Sequence, residues 1–106
     1  MAADNVRMPG LLAVGFQTIT LNSTAQALNS TIRASARYLE LSVETSAARY
    51  RVGATNPTRT TGVYLPTGWY GWEGYNGTSL LKFISANSTA GKLSVQGYSY
   101  AGDRTS

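Results

Sequence analysis

From Tyr38 to Glu44 the chain alternates without a break. Leu39, Leu41 and Val43 share one parity; Tyr38, Glu40, Ser42 and Glu44 share the other. A period of two places the two sets on opposite sides of a β-strand. A looser alternation over residues 16–21 predicts a first strand, with Gln17, Ile19 and Leu21 on one face and Phe16, Thr18 and Thr20 on the other. Further strands are predicted at 48–52, 62–65, 69–75, 80–86 and 92–100, the last with Leu93 and Val95 inward. Turn signals separate them: Asn56-Pro57 inside a loop over 53–61, Pro66-Thr67-Gly68, a hairpin-type Asn76-Gly77, and residues 87–91. Residues 25–28 read as a helical turn capped by Ser23 or Thr24, or as a loop. No long helical period is present. About seven short strands at turn spacing predict an all-β fold, an antiparallel β-sandwich or jelly-roll-like barrel over residues 16–100. Residues 1–15 read as an N-terminal arm punctuated by Pro9-Gly10, and residues 101–106 as a polar tail.

One register makes residues 38–52 a hairpin around Ser46-Ala47. Glu44 then faces Arg49, Ser42 faces Arg51, Val43 faces Tyr50 and Leu41 faces Val52. Apolar faces coincide and charges oppose. An exposed ion pair of this kind contributes only about 0.2–1 kcal/mol, which is little reason for two arginines, so an intersubunit role for one of them enters the expectation.

The chain of 106 residues fits one domain. Charged residues make up only 13%, and Ser, Thr, Asn and Gly take their place. No cysteine or histidine is present. Disulfides, thiolate metal sites and the commonest general base are thereby excluded, and no cofactor or metal is expected. Stability must come from the core or from oligomerisation. The net charge of +4 comes from scattered arginines and two lysines, without the clustered run of a nucleic-acid patch. No stretch approaches the roughly 20 apolar residues of a membrane-spanning helix, and Leu11 to Val14 is too short for a signal-peptide core. The sequons at Asn22, Asn29, Asn76 and Asn87 follow from an Asn/Ser/Thr-rich composition.

The acids Asp4, Glu40, Glu44, Glu73 and Asp103 form no dense cluster. Glu40 and Glu44 lie about 13 Å apart on one strand face, too far for a glycosidase pair. An enzyme is not expected. The most distinctive segment is Gly68 to Gly77, which carries Trp69, Tyr70, Trp72 and Tyr75. These aromatics either divide between core and interface or form a platform that stacks sugars or bases. Arginine and aromatics are the residue types enriched at protein interfaces. Arg49, Arg51, Arg59, Trp69, Tyr70, Trp72 and Tyr75 are therefore the candidate partner interface.

The order of strands and turns resembles a family of small structural proteins of tailed bacteriophages. The matching pieces are Leu41-Ser42-Val43-Glu44, Arg49-Tyr50-Arg51, Thr55-Asn56-Pro57-Thr58, the run from Gly62 to Gly68, Leu81 to Ala86, and Leu93 to Tyr98. The chain departs from that pattern at Gly53-Ala54-Thr55 and in the aromatic strand from Trp69 to Tyr75. The resemblance implies a virion protein of the capsid decoration or cement type. It would sit on the capsid surface, bound to the major capsid protein at subunit junctions as a homo-oligomer, commonly a trimer. A tail or fibre adhesion module that binds host surface carbohydrate through its aromatics is the alternative. A single-strand nucleic-acid binder of the OB type comes third.

Overall fold

The computed structural model describes residues 11–76 and 80–100. Its elements are β1 (Leu11–Leu21), β2 (Gln26–Ala27), α1 (Ser30–Ser35), β3 (Tyr38–Glu44), β4 (Ala48–Val52), β5 (Val63–Leu65), β6 (Gly68–Glu73), β7 (Leu81–Ser85) and β8 (Gly91–Tyr100). Sheet I runs in the order β1-β8-β3-β6 and sheet II in the order β2-β7-β4-β5. Every pair is antiparallel. Eight strands in these two orders form the double Greek key of a jelly roll. The expected β-sandwich is therefore present, with eight strands rather than seven, β2 being the addition.

Parity decides what the two sheets bury. Leu39, Leu41 and Val43 of β3, Leu93 and Val95 of β8, and Ile19 and Leu21 of β1 point inward. They meet Ala48, Leu81 and Phe83 of sheet II in one apolar cluster. Full burial of each large side chain contributes about 1.5–3 kcal/mol. Tyr50 and Trp72 fill the cluster's margin.

The hairpin expected between β3 and β4 does not form. β3 pairs with β6 and β8, whereas β4 pairs with β5 and β7. Thr45 adopts φ 75°, the Ser46 amide donates to the Glu44 carbonyl at 2.8 Å, and the chain steps across to the other sheet. Ser46 and Ala47 are buried in that step. Glu44 lies opposite Lys92, and Ser42 lies between Ser94 and Trp69. The strands flanking Asn76-Gly77 also belong to different sheets, so they do not pair as a hairpin; Gly77 itself is outside the described residues.

The first strand begins at Leu11, not at residue 16, so residues 11–15 of the expected arm belong to β1. Residues 1–10 and the tail at 101–106 lie outside the described residues. Residues 26–27 form a short strand, and the helical turn follows it at residues 30–35. Its cap is Asn29, whose side chain accepts from the Ile32 amide at 2.9 Å. This helix packs on β1 and β8. The paired glycines Gly15 and Gly97 make room for it. A Cβ at Gly97 would stand 3.1 Å from Ala36 Cβ and 3.3 Å from Ile32 Cγ2.

Candidate functional site

Inward parity on β4 takes Ala48 and Tyr50, so Arg49 and Arg51 face outward from sheet II. Arg49 lies between Ile84 and Tyr64, and Arg51 lies opposite Lys82. The loop from Gly53 to Gly62 folds over this outward face. Arg49 fastens it: Nε donates to the Arg59 carbonyl and Nη1 to the Gly62 carbonyl, each at 2.9 Å. The same guanidinium lies 5.2 Å from the centroid of the Tyr64 ring, within cation–π range. Within the loop, the Thr58 and Thr61 amides exchange bonds with each other's carbonyls, and Thr58 Oγ1 accepts from the Thr60 and Thr61 amides. Lys82 Nζ donates to Asn56 Oδ1 at 2.9 Å. Arg49 thus holds its own loop and has no pairing with Glu44.

Between this loop and Ser23, Thr24 and Ala25 lies a cleft of about 370 Å³ whose wall includes Asn56, Thr58 and Arg59. Arg59 Nε is buried in the wall without a hydrogen-bond partner. A guanidinium normally has its donors satisfied when buried. Arg51 and Lys82, as like charges at opposed positions, cost stability in the isolated chain. Sheet II and its connecting segments carry Arg49, Arg51, Arg59 and Lys82 and no acid among the described residues. The three acids described, Glu40, Glu44 and Glu73, all stand on sheet I, on the parity opposite its core residues, where Lys92 opposite Glu44 offsets one of them. The two broad faces of the sandwich therefore differ in sign.

The aromatic segment does not form one platform. Trp69 points outward and is 62% exposed. Tyr70 and Trp72 have the other parity and pack against the core. The Tyr70 hydroxyl donates to the Pro66 carbonyl at 2.6 Å. Gly74, at φ 79°, breaks the alternation and sends Tyr75 inward, where it is 2% exposed. Burial raises the Tyr75 hydroxyl above its ordinary value of 10.0, against an opposing influence from Arg33. Of the seven candidate interface residues, Arg51 and Trp69 face outward on opposite sheets, Arg59 lines the cleft, and Arg49, Tyr70, Trp72 and Tyr75 are structural.

Sequence reasoning passed over Lys82 and Tyr64. Their signal was weak: each is a single polar or aromatic residue on a short strand, and only the sheet order brings them beside Arg51 and Arg49. Among the described residues no three His, Cys, Asp or Glu side chains gather to hold a metal, and no helix is long and apolar enough to cross a membrane. Searches against family models, curated proteins and solved structures find no match to this chain.

Proposed function

We propose that the protein is a capsid decoration protein, bound as a homo-oligomer on the outer surface of a phage head at subunit junctions. Its work is contact: it seats the basic face of sheet II on an acidic surface of the major capsid protein and ties neighbouring subunits together. The observation that carries this reading is the segregation of charge between the two faces. An acidic partner surface relieves the Arg51–Lys82 opposition and supplies acceptors near Arg59. The stapled loop beside them presents a rigid surface, so little conformational freedom is lost on binding. The virion assignment itself rests on the strand-and-turn pattern of residues 16–100.

The test is the copy number in purified virions from the source, by quantitative mass spectrometry. A number that scales with the major capsid protein supports the reading. A handful of copies moves the protein to the tail or a fibre. Absence from the particle overturns it. Arg51→Glu is expected to release the protein from shells at physiological salt while leaving the fold intact, because Arg51 is an outward side chain on β4.

A further inference from the structure

The outward face of sheet I carries a second site. Registers across its four strands place Phe16, Gln96 and Glu40 in one row, and Thr18, Ser94, Ser42 and Trp69 in the next. Phe16 and Trp69, on the two edge strands, are 60% and 62% exposed. Between them lies a groove of about 140 Å³ lined by Phe16, Glu40, Ser42, Trp69, Ser94 and Gln96. Isolated exposed aromatics are ordinary. Two that bracket one groove floored by Glu40, Ser42, Ser94 and Gln96 are a binding arrangement.

The groove's polar atoms are biased toward acceptors. Gln96 Nε2 donates to the Gly15 carbonyl at 2.9 Å and the Gly97 carbonyl at 3.2 Å, which engages both of its N–H groups and leaves the amide oxygen. Glu40 is held by the Tyr98 hydroxyl, which donates to Oε1 at 2.7 Å, and its carboxylate has further acceptor capacity. Ser42 Oγ donates to Glu44 Oε2 at 3.2 Å and so also offers an acceptor. Such a floor calls for a ligand rich in hydroxyl donors. The Glu40 carboxylate in the groove repels phosphate and sulfate, so nucleic acid and sulfated polymers are poor occupants. The aromatic faces favour flat C–H surfaces, whose slightly positive hydrogens meet the negative face of a ring.

We infer that this groove binds a neutral glycan of equatorially substituted pyranose units, of the glucose or N-acetylglucosamine kind. Equatorial substitution leaves both ring faces as C–H surfaces for Phe16 and Trp69 and directs hydroxyls sideways to Glu40, Gln96 and Ser42. The volume lies well below the roughly 300–1,000 Å³ of drug-sized pockets, so one sugar ring occupies it while the oligosaccharide extends across the open sheet. The inference does not depend on the capsid reading, which uses the opposite face.

Isothermal titration calorimetry of the full chain with maltohexaose, cellohexaose and chitohexaose tests it. The expected result is saturable binding to at least one of the three. Trp69→Ala and Phe16→Ala weaken that binding about tenfold or more, and Arg51→Ala leaves it unchanged. Glu40→Gln supplies an independent loss should either aromatic variant fold poorly, with Trp72 emission as the folding monitor. No saturable binding of any of the three up to about 10 mM overturns the inference. So does binding that survives in both Trp69→Ala and Glu40→Gln, or that disappears in Arg51→Ala, since either places the ligand elsewhere.

Discussion

Tyr50 of β4 and Trp72 of β6 meet edge to face across the two sheets, with ring centroids 4.9 Å apart and planes inclined at 64°. Tyr50 also contacts Phe83, at 6.2 Å. These rings join sheet I to sheet II near the margin of the core. Trp72→Ala is expected to destabilise the fold by about 3 kcal/mol, within the usual range for aromatic deletions, and Trp72→Phe by clearly less. Chemical denaturation of the two variants checks the order; equal losses would show that a smaller ring at position 72 recovers neither the burial nor the contact with Tyr50.

Arg49 holds the very carbonyl that trypsin must attack to cleave after Arg59. Arg49→Lys keeps the charge but loses the fork that reaches two carbonyls. Cleavage after Arg59 is expected to accelerate about tenfold in Arg49→Lys, as the loop opens more often. Global stability should fall by about 1–3 kcal/mol, the cost of losing charge-assisted bonds. Timed digestion followed by mass spectrometry reads the cleavage site, and an unchanged rate would mean that the loop's threonine bonds suffice.

Gly97→Ala drives a methyl into Ala36 and Ile32. The expected cost is about 1–3 kcal/mol from overpacking. Ile32→Ala, destabilising alone, removes the γ carbons that the new methyl meets and should recover part of that loss in the double variant. A double-mutant cycle with no coupling would contradict direct contact between the helix and this glycine.

Alkaline pH should weaken the fold through two tyrosines. Tyr75 is raised by burial; Tyr38 is raised by burial first and then by Glu40, Glu73 and Tyr100. The folded value exceeds the unfolded one, so the neutral ring's contribution is complete below the unfolded value of 10.0 and is lost as pH climbs through the folded value. Thermal unfolding followed from about pH 9 upward should show a falling Tm, less steep in Tyr75→Phe. A parallel decline in that variant would remove Tyr75 from the explanation.

Much of the fold was legible because parity is a local property. The alternation of β3 and the inward Leu93 and Val95 follow directly from the sequence and stand as read. The 38–52 hairpin did not, although its register satisfied both apolar and charged positions. Parity tells which way a side chain points relative to its own strand; it is silent on which of two sheets the strand joins. That choice turns on Thr45 at φ 75°, a residue with no sequence mark for a positive φ. Helix α1 escaped because Ser30-Thr31 are weak helix formers, and six residues show too little of a 3.6 period. Asn29 followed three residues later by an apolar Ile32 was the available signal.

The interface candidates were separated by the same limitation. The two glycines of the aromatic strand behave differently. Gly71 admits the Tyr38 ring against the strand, whereas Gly74 reverses the parity that would have put Tyr75 beside Trp69. Phe16 was already on the polar parity of its strand. An aromatic on that side was the mark of the groove, but its partner Trp69 lies more than fifty residues away and three strands across.

The first and last described strands, β1 and β8, are neighbours along almost their whole length, from Leu11 opposite Tyr100 to Leu21 opposite Gly91. β8 also supplies the other edge of β3. An emerging chain that lacks β8 leaves β1 without its only partner among the described residues and exposes Ile19, Leu21, Leu39 and Leu41. Folding during synthesis therefore waits for β8, and closure is a late, long-range step of the kind that makes all-β domains slow. Chains truncated before Gly91 are the species expected to aggregate.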